Sequence, residues 1–218
     1  LCSAAEADLF RSLAADAGGR VGYVPNGVDC DYFSPERDYP NPFEAPGPRL
    51  VFTGAMDYWA NVDAVSFFAA AVLPLVRRRL PDARFYIVGS NPTAEVAALA
   101  DGSSVLVTGR VPDVRPYLAH ADVVVAPLRI ARGIQNKVLE GMAMGKAVVA
   151  SPQAMEGIDA AAAREVLVAD GPEALAEAVC RAVDHEAGAA LGRHARQRIV
   201  ADWDWSASLK RLGAFVDA

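Results

Sequence analysis

Three kinds of side chain gathered in one short stretch of this sequence could do chemistry together. In "RIARGIQNKVLEGMAMGKAVVAS", Arg129, Arg132, Lys137 and Glu140 stand around Gly133 in an otherwise apolar run. On a helix of about 100° per residue, Ile134, Val138, Leu139 and Met142 fall on one side. Gly133, Lys137, Glu140, Gly141 and Met144 fall on the other. The bland reading of Lys137 and Glu140 is an exposed i, i+3 ion pair worth about 0.3 kcal/mol. The sharper reading is a ligand site. A helix N-terminus offers free N–H groups and the positive end of a dipole, and both suit phosphate. Gly133 lets a ligand approach the backbone closely. Lys137 adds a full charge one turn in, and Arg129 and Arg132 flank the approach, where they could close on phosphate oxygens. Glu140 disfavours phosphate but can accept hydrogen bonds from two neighbouring hydroxyls, as a ribose presents them.

Such a cluster needs strands that end beside it. Six β-like runs stand out: Arg49–Gly54, Ala83–Gly89, Ser104–Gly109, Asp122–Leu128, Lys146–Ser151 and Glu165–Asp170. Most are continuously apolar, as strands buried on both faces of a parallel sheet are. Helical patterns lie between them. Val65, Phe68, Ala69, Val72, Leu73 and Val76 keep amphipathic spacing. Asn91 before Pro92 reads as an N-cap, Asp113 as the cap of "VRPYLAHA", and Gly171-Pro172 as the opening of "EALAEAVCRAVDH". Two further helices are expected, roughly over 187–203 and 206–216. The fold class predicted is α/β: a doubly wound, Rossmann-like parallel sheet of about six strands flanked by helices, in the order 3-2-1-4-5-6. Ligands of such sheets sit beyond the carboxyl ends of the strands, which is where the loop after Leu128 lies.

The first forty-eight residues read differently. "SAAEADLFRSLAADAG" predicts a helix, "RVGYVPNGVD" a strand and turn, and the proline-rich "DYPNPFEAPGPR" a linker or long loop. The domain reading is therefore 1–48 as a remnant of another unit plus linker, 49–202 as the Rossmann-like domain, and 203–218 as a crossing helix. Trp203, Trp205, Leu209 and Leu212 are expected to expose an apolar face there.

Composition narrows the function. A net charge of −6 argues against a general nucleic-acid surface, while a local anion site stays open. Cys2, Cys30 and Cys180 share no metal spacing and fit a reducing compartment. No signal peptide is visible, and no apolar run is expected to reach membrane-spanning length. The first residue, Leu1, is not Met, which suggests a fragment or processed product. "DCD" at 29–31 and "DWD" at 202–204 match Asp-x-Asp, but the motif is short and common, and no metal is expected. "RRR" at 77–79 and "RHARQR" at 193–198 read as solvated helix surfaces, and His120, His185 and His194 have no partner acid by spacing.

"GIQNKVLEGMAMGKAVVAS" resembles the signature segment of the retaining GT-B glycosyltransferases of family 4, also called group 1. "VPNGVD", "VFTGAMDYWANVDAV", "ARFYIVGS", "VLVTGRVPDV" and "ADVVVAPLR" resemble further segments of that family, so the likeness spans nearly the whole chain. The resemblance implies the donor-binding, C-terminal half of a GT-B enzyme, of the exopolysaccharide or exosortase-associated subgroup. Glu140 then matches the ribose-hydroxyl acceptor, Lys137 a phosphate contact, Arg110 and Val111 the segment that receives the base, and Gly54 the glycine that admits the diphosphate. It implies a UDP- or GDP-sugar as donor, with no separate cofactor. It also implies an acceptor sugar or lipid-linked glycan held through a missing N-terminal half, without which the chain is inactive. The location expected is cytoplasmic, or peripheral at the inner membrane. Two departures stand out: Arg132 where the family often has a second Glu, and Ala55 after Gly54 with no cation in "DYWAN". Lys137, with Arg132 or Arg129, is left as the catalytic charge that stabilises the departing diphosphate. The alternatives are a GT-B nucleotide-sugar 2-epimerase, which would need a histidine near the diphosphate, a dinucleotide-binding oxidoreductase domain, whose glycine fingerprint "GAMDYWAN" lacks, and a non-catalytic nucleotide-binding domain.

Overall fold

The apolar runs pair side by side as one parallel sheet. The computed structural model describes residues 1–14 and 21–216. Its strands are β1 (Arg49–Thr53), β2 (Arg84–Val88), β3 (Val105–Gly109), β4 (Val123–Ala126), β5 (Ala147–Ala150) and β6 (Leu167–Val168). They are hydrogen-bonded in the order β3-β2-β1-β4-β5-β6, the order expected. Leu50 sits opposite Phe85 on one side and Val123 on the other, at the centre of the core. Both faces are covered, so β4 and β5 are buried at every position.

The helices are α1 (Ala4–Leu13), α2 (Trp59–Phe67), α3 (Leu73–Arg79), α4 (Ala94–Ala97), α5 (Arg115–Ala119), α6 (Asn136–Ala143), α7 (Pro172–Ala182), α8 (His185–Asp202) and α9 (Trp205–Val216). The β1–β2 and β4–β5 crossovers step in opposite directions across the sheet. With right-handed connections, α2–α3 and α6 therefore lie on opposite faces. α7 packs along α3, and α8 along α6.

Helix α2, a π-helical stretch at Phe68–Val72 and α3 run on as one helix, Trp59–Arg79. It is long and apolar enough to cross a membrane, with mean hydropathy 1.6, which corrects the expectation that no apolar run has that reach. The sheet accounts for this apolarity. Val65, Phe68, Val72 and Val76 are buried, and the Phe68 ring lies 4.6 Å from that of Phe85. A crossover helix held between a sheet and a neighbouring helix has little face left for polar residues.

Several local expectations are corrected. Thr93, not Asn91, caps α4, its hydroxyl accepting from the Val96 amide at 3.3 Å. Asn91 instead adopts φ 55° and donates to Asp57 at 2.9 Å, tying the loops after β1 and β2 together. Helix α1 ends at Leu13, and residues 15–18 of the expected helix lie outside the described residues. The strand expected within "RVGYVPNGVD" is absent from its described residues, where only Val28 makes a bridge, to Asp204. The Val28 amide donates to the Trp203 carbonyl at 2.8 Å, so this segment pairs with the α8–α9 junction and not with the sheet. Trp203 is buried, contrary to expectation, whereas Trp205, Leu209 and Leu212 are exposed as expected.

The proline-rich loop is held down by side chains. Phe43 packs on Tyr86 and Tyr117, and the Arg115 guanidinium lies 5.7 Å from the Tyr39 ring centroid. Arg196 of α8 donates to the carbonyls of Cys30, Phe33 and Ala143, each at 2.9 Å, joining the 30–33 turn to the last residue of α6.

Candidate functional site

At the carboxyl ends of β1, β2 and β3 a cleft of about 500 Å³ opens beside the tip of α6. A volume of this order suits a small organic ligand. The strand ends contribute Thr53, Gly54, Gly89 and Ser90. The segment after β3 contributes Arg110 and Val111, and the other wall is Ile134–Lys137 and Glu140.

Two glycines make the floor. A Cβ on Gly89, at φ 154°, would lie 1.7 Å from the Gly54 carbonyl oxygen, so only glycine lets the two loops touch. A Cβ on Gly54 would meet the Asn61 amide nitrogen at 2.6 Å. Asn61 fills that space and donates to the Ala55 carbonyl at 2.9 Å, fixing the loop that follows β1. The Thr53 hydroxyl at the cleft floor is buried with no partner among the described residues.

The loop after β4 is longer than expected. Helix α6 begins at Asn136, and no side chain caps its first amides. The chain turns before it at Gly133, where φ is 68°. Gly133 and Ile134 therefore precede the helix and hold no place on its wheel. Gly141 and Met144, expected on the ligand side, are buried: a Cβ on Gly141 would lie 3.0 Å from Val124. α6 is covered by the sheet on one side and α8 on another, which leaves a narrower free face than the wheel suggests.

Lys137 and Glu140 share that free face, and both line the cleft. The ammonium of Lys137 donates to Gln135 Oε1 at 3.2 Å and lies 5.3 Å from the centroid of the Phe52 ring. Burial pulls the lysine down to about 8, and the Glu140 carboxylate only partly offsets this. Burial likewise pushes Glu140 above the usual carboxylate range, with Lys137 opposing. A largely buried lysine whose one side-chain acceptor among the described residues is a neutral amide has donors left for an anion.

The structure brings Gly54, Arg110, Val111, Lys137 and Glu140 to one cleft. Three other expected residues do not line it. Arg129 is engaged by Asp63 of α2, with Nε 3.0 Å from its carboxylate, and borders a separate hollow with Phe67 and Gly171. Arg132 stands exposed on the loop before α6. The Gly133 Cα faces Glu6 of α1, where a Cβ would lie 3.7 Å from the carboxylate. All three fall in the loop that was expected to be helix or to abut it.

Gln135, Asn61 and Gly89 were not singled out as site residues. Gly89 carried a signal, since it ends its strand as Gly54 does. Nothing in the pattern marks Gln135 or Asn61, although their hydrogen-bond partners lie only two to six residues away. The Asp-x-Asp pairs are turn and cap residues: Asp29 accepts from the amides of Asp31 and Tyr32, and Asp204 from those of Ser206 and Cys30. Among the described residues no group of three His, Cys, Asp or Glu gathers to hold a metal.

Comparison with known proteins bears on this geometry. The family model described as "Glycosyl transferases group 1" matches residues 47–185, more than half of the chain. No curated protein matches. Among solved structures, Anabaena HepE in complex with UDP is 15% identical with TM-score 0.77, covering 99% of this chain and 62% of that one. Sucrose-phosphate synthase from Thermosynechococcus elongatus is 22% identical with TM-score 0.76, covering 100% of this chain and 57% of that one. WaaG, a glycosyltransferase involved in lipopolysaccharide biosynthesis, is 18% identical with TM-score 0.74, covering 100% and 62%. The chain thus spans about three fifths of the length of these structures. At such identities the likeness is one of fold, and that fold is a Rossmann-like half of a GT-B architecture.

Proposed function

The chain belongs to the group 1 glycosyl transferases, and from that premise we propose that it is the C-terminal, donor-binding half of a retaining enzyme that transfers a sugar from a nucleoside-diphosphate sugar to a hydroxyl acceptor. The observation that carries this reading is the pairing of Lys137 and Glu140 on one wall of the cleft, facing the glycine floor. A diphosphate at the tip of α6 meets unclaimed backbone N–H groups, the positive end of the helix dipole and the Lys137 ammonium. The ribose reaches Glu140, one turn deeper, and the base lies along Arg110 and Val111.

The chemical task is to stabilise negative charge on the diphosphate as the glycosidic bond breaks. A fixed cation and oriented amides in a half-desolvated cleft do this electrostatically. Lys137 is the residue assigned to it. Arg132, the other cation proposed as catalytic, would have to swing in from its exposed loop. Arg129 would first have to leave Asp63, and the Gly133 backbone would meet a ligand only at the loop's turn. No nucleophile is assigned, and no metal is needed where the helix tip and a lysine hold the diphosphate.

The domain limits are 1–48, 49–202 and 203–218, and an N-terminal half holds the acceptor sugar or lipid-linked glycan. The exposed Trp205, Leu209 and Leu212 are consistent with such a neighbour. UDP is the first donor nucleotide to test, because the HepE structures hold UDP, UDP with glucose, and UDP-glucose. A part in bacterial polysaccharide synthesis, at the cytoplasmic side of the membrane, fits WaaG's role in lipopolysaccharide biosynthesis. An epimerase would call for a histidine near the diphosphate, and none lines the cleft.

The test is calorimetric titration of UDP, GDP and ADP into this chain, its Lys137→Ala and its Glu140→Ala forms. Loss of binding in both variants, with the circular dichroism spectrum kept, supports the site. Equal binding by all three proteins removes it.

A further inference from the structure

Gln135 occupies a position that neither the helix nor the loop accounts for. It is the residue just before α6, it is buried, and its side chain does not cap the helix. Every polar atom of its amide is engaged elsewhere. Nε2 donates to the carbonyls of Arg132 at 3.3 Å and Gly133 at 3.1 Å, while Oε1 accepts from Lys137 Nζ at 3.2 Å. The three contacts agree on one amide orientation, with nitrogen toward two acceptors and oxygen toward a cation. The amide therefore clamps the turn at Gly133 and the ammonium of Lys137 at once.

Chemically, the choice of an amide here matters. A carboxylate at the same place would form a short ion pair with Lys137 and neutralise it before any ligand arrived. An aliphatic side chain would leave the ammonium without an acceptor in a half-buried wall, free to turn away. We infer that Gln135 is a positioning residue: its neutral oxygen aims Lys137 into the cleft while leaving the full charge for the anionic group of the ligand. This rests on the donor-site reading above and names how that site is kept cationic. The other charged groups facing Lys137 are Glu140 on its own helix and Arg110 across the cleft. Phe52 of β1 offers only a ring face.

The test uses UDP and uridine, which share base and ribose but differ in the diphosphate. In Gln135→Glu, UDP affinity at pH 7 falls about tenfold or more, while uridine affinity stays within about twofold. The pH above which UDP binding declines also moves. It rises in Gln135→Glu, where a carboxylate holds the proton on Lys137, and falls in Gln135→Met, where no acceptor supports the ammonium. Uridine measured over the same range corrects for titration of the base. A merely structural role would weaken UDP and uridine together and leave the alkaline limb in place, and that result overturns the inference. Lys137→Ala separates the two levels. If it leaves UDP binding intact, the donor-site reading fails. If it abolishes binding while Gln135→Glu and Gln135→Met bind UDP like the wild type, the donor site stands and the role of Gln135 falls.

Discussion

Arg129 and Lys137 follow the same strand, one in the loop after it and one in the first turn of the helix beyond, and both were expected to meet phosphate. Arg129 reaches back to Asp63 of α2, lies over Phe67 and borders a hollow away from the cleft. Among the described residues Lys137 has no carboxylate in direct contact; it rests against a neutral amide and lines the cleft opposite the glycine loops. The arginine carries the more permanent charge and the more versatile donors. On the proposed reading it is nonetheless the lysine that acts on the ligand, because a cation already neutralised has little attraction left for one. What decides is which partner the fold places nearby.

The largest expected effect breaks the comparison at its lysine. Lys137→Met lowers UDP affinity about 100-fold, since a charge-assisted contact in a half-buried wall is removed. Calorimetry reads it, and a loss under about threefold would mean that Lys137 is not the phosphate contact. Next comes the carboxylate. Wild-type chain binds UDP roughly tenfold more tightly than 2′-deoxy-UDP, and Glu140→Gln closes most of that gap. A gap that survives the substitution places the ribose elsewhere. The pH dependence is gentler. Lys137, drawn down to about 8, is charged below that pH and loses its proton above it. UDP affinity should therefore hold steady near pH 7 and weaken several-fold by about pH 9.5, less steeply than the free lysine predicts because bound phosphate retains the proton. A flat profile across that range would show that the ammonium does not contribute. The smallest effect is at the arginine. Arg129→Ala changes UDP affinity by less than about twofold and stability by no more than about 0.5 kcal/mol, because the Asp63 pair is half exposed. A large fall in affinity there would reverse the contrast.

How far the sequence reaches can be judged from the same residues. The sheet was legible because parallel strands buried on both faces must be runs such as "VVVA", and because runs alternating with helical patterns admit few connections. β6 was the exception: "EVLVAD" forms only a two-residue strand, after a turn that includes Ala163 at φ 64°. Lys137 and Glu140 were legible because helical spacing alone fixes their common face. Arg129 was not, since its partner Asp63 lies in another crossover, and no local pattern records that meeting. Gly141 and Met144 failed for a related reason: a helical wheel knows one packing face, and α6 has more than one. Trp203 was expected to be exposed because the segment around Val28, whose backbone pairs with it, is distant in sequence and was read as a strand of a different unit.

The Arg196 guanidinium has a mechanical consequence. It grips the 30–33 turn and the foot of α6 together, through carbonyls on both. α6 is an eight-residue rod anchored at its last residue, so Lys137 rides in its first turn and Glu140 at its middle, both within about 12 Å of that anchor. Any tilt of the turn is therefore passed along a stiff lever to the groups that would hold the nucleotide. A lysine at 196, with a single nitrogen and no planar fork, could not clasp all three oxygens in the same geometry, and the lever would lose its fulcrum.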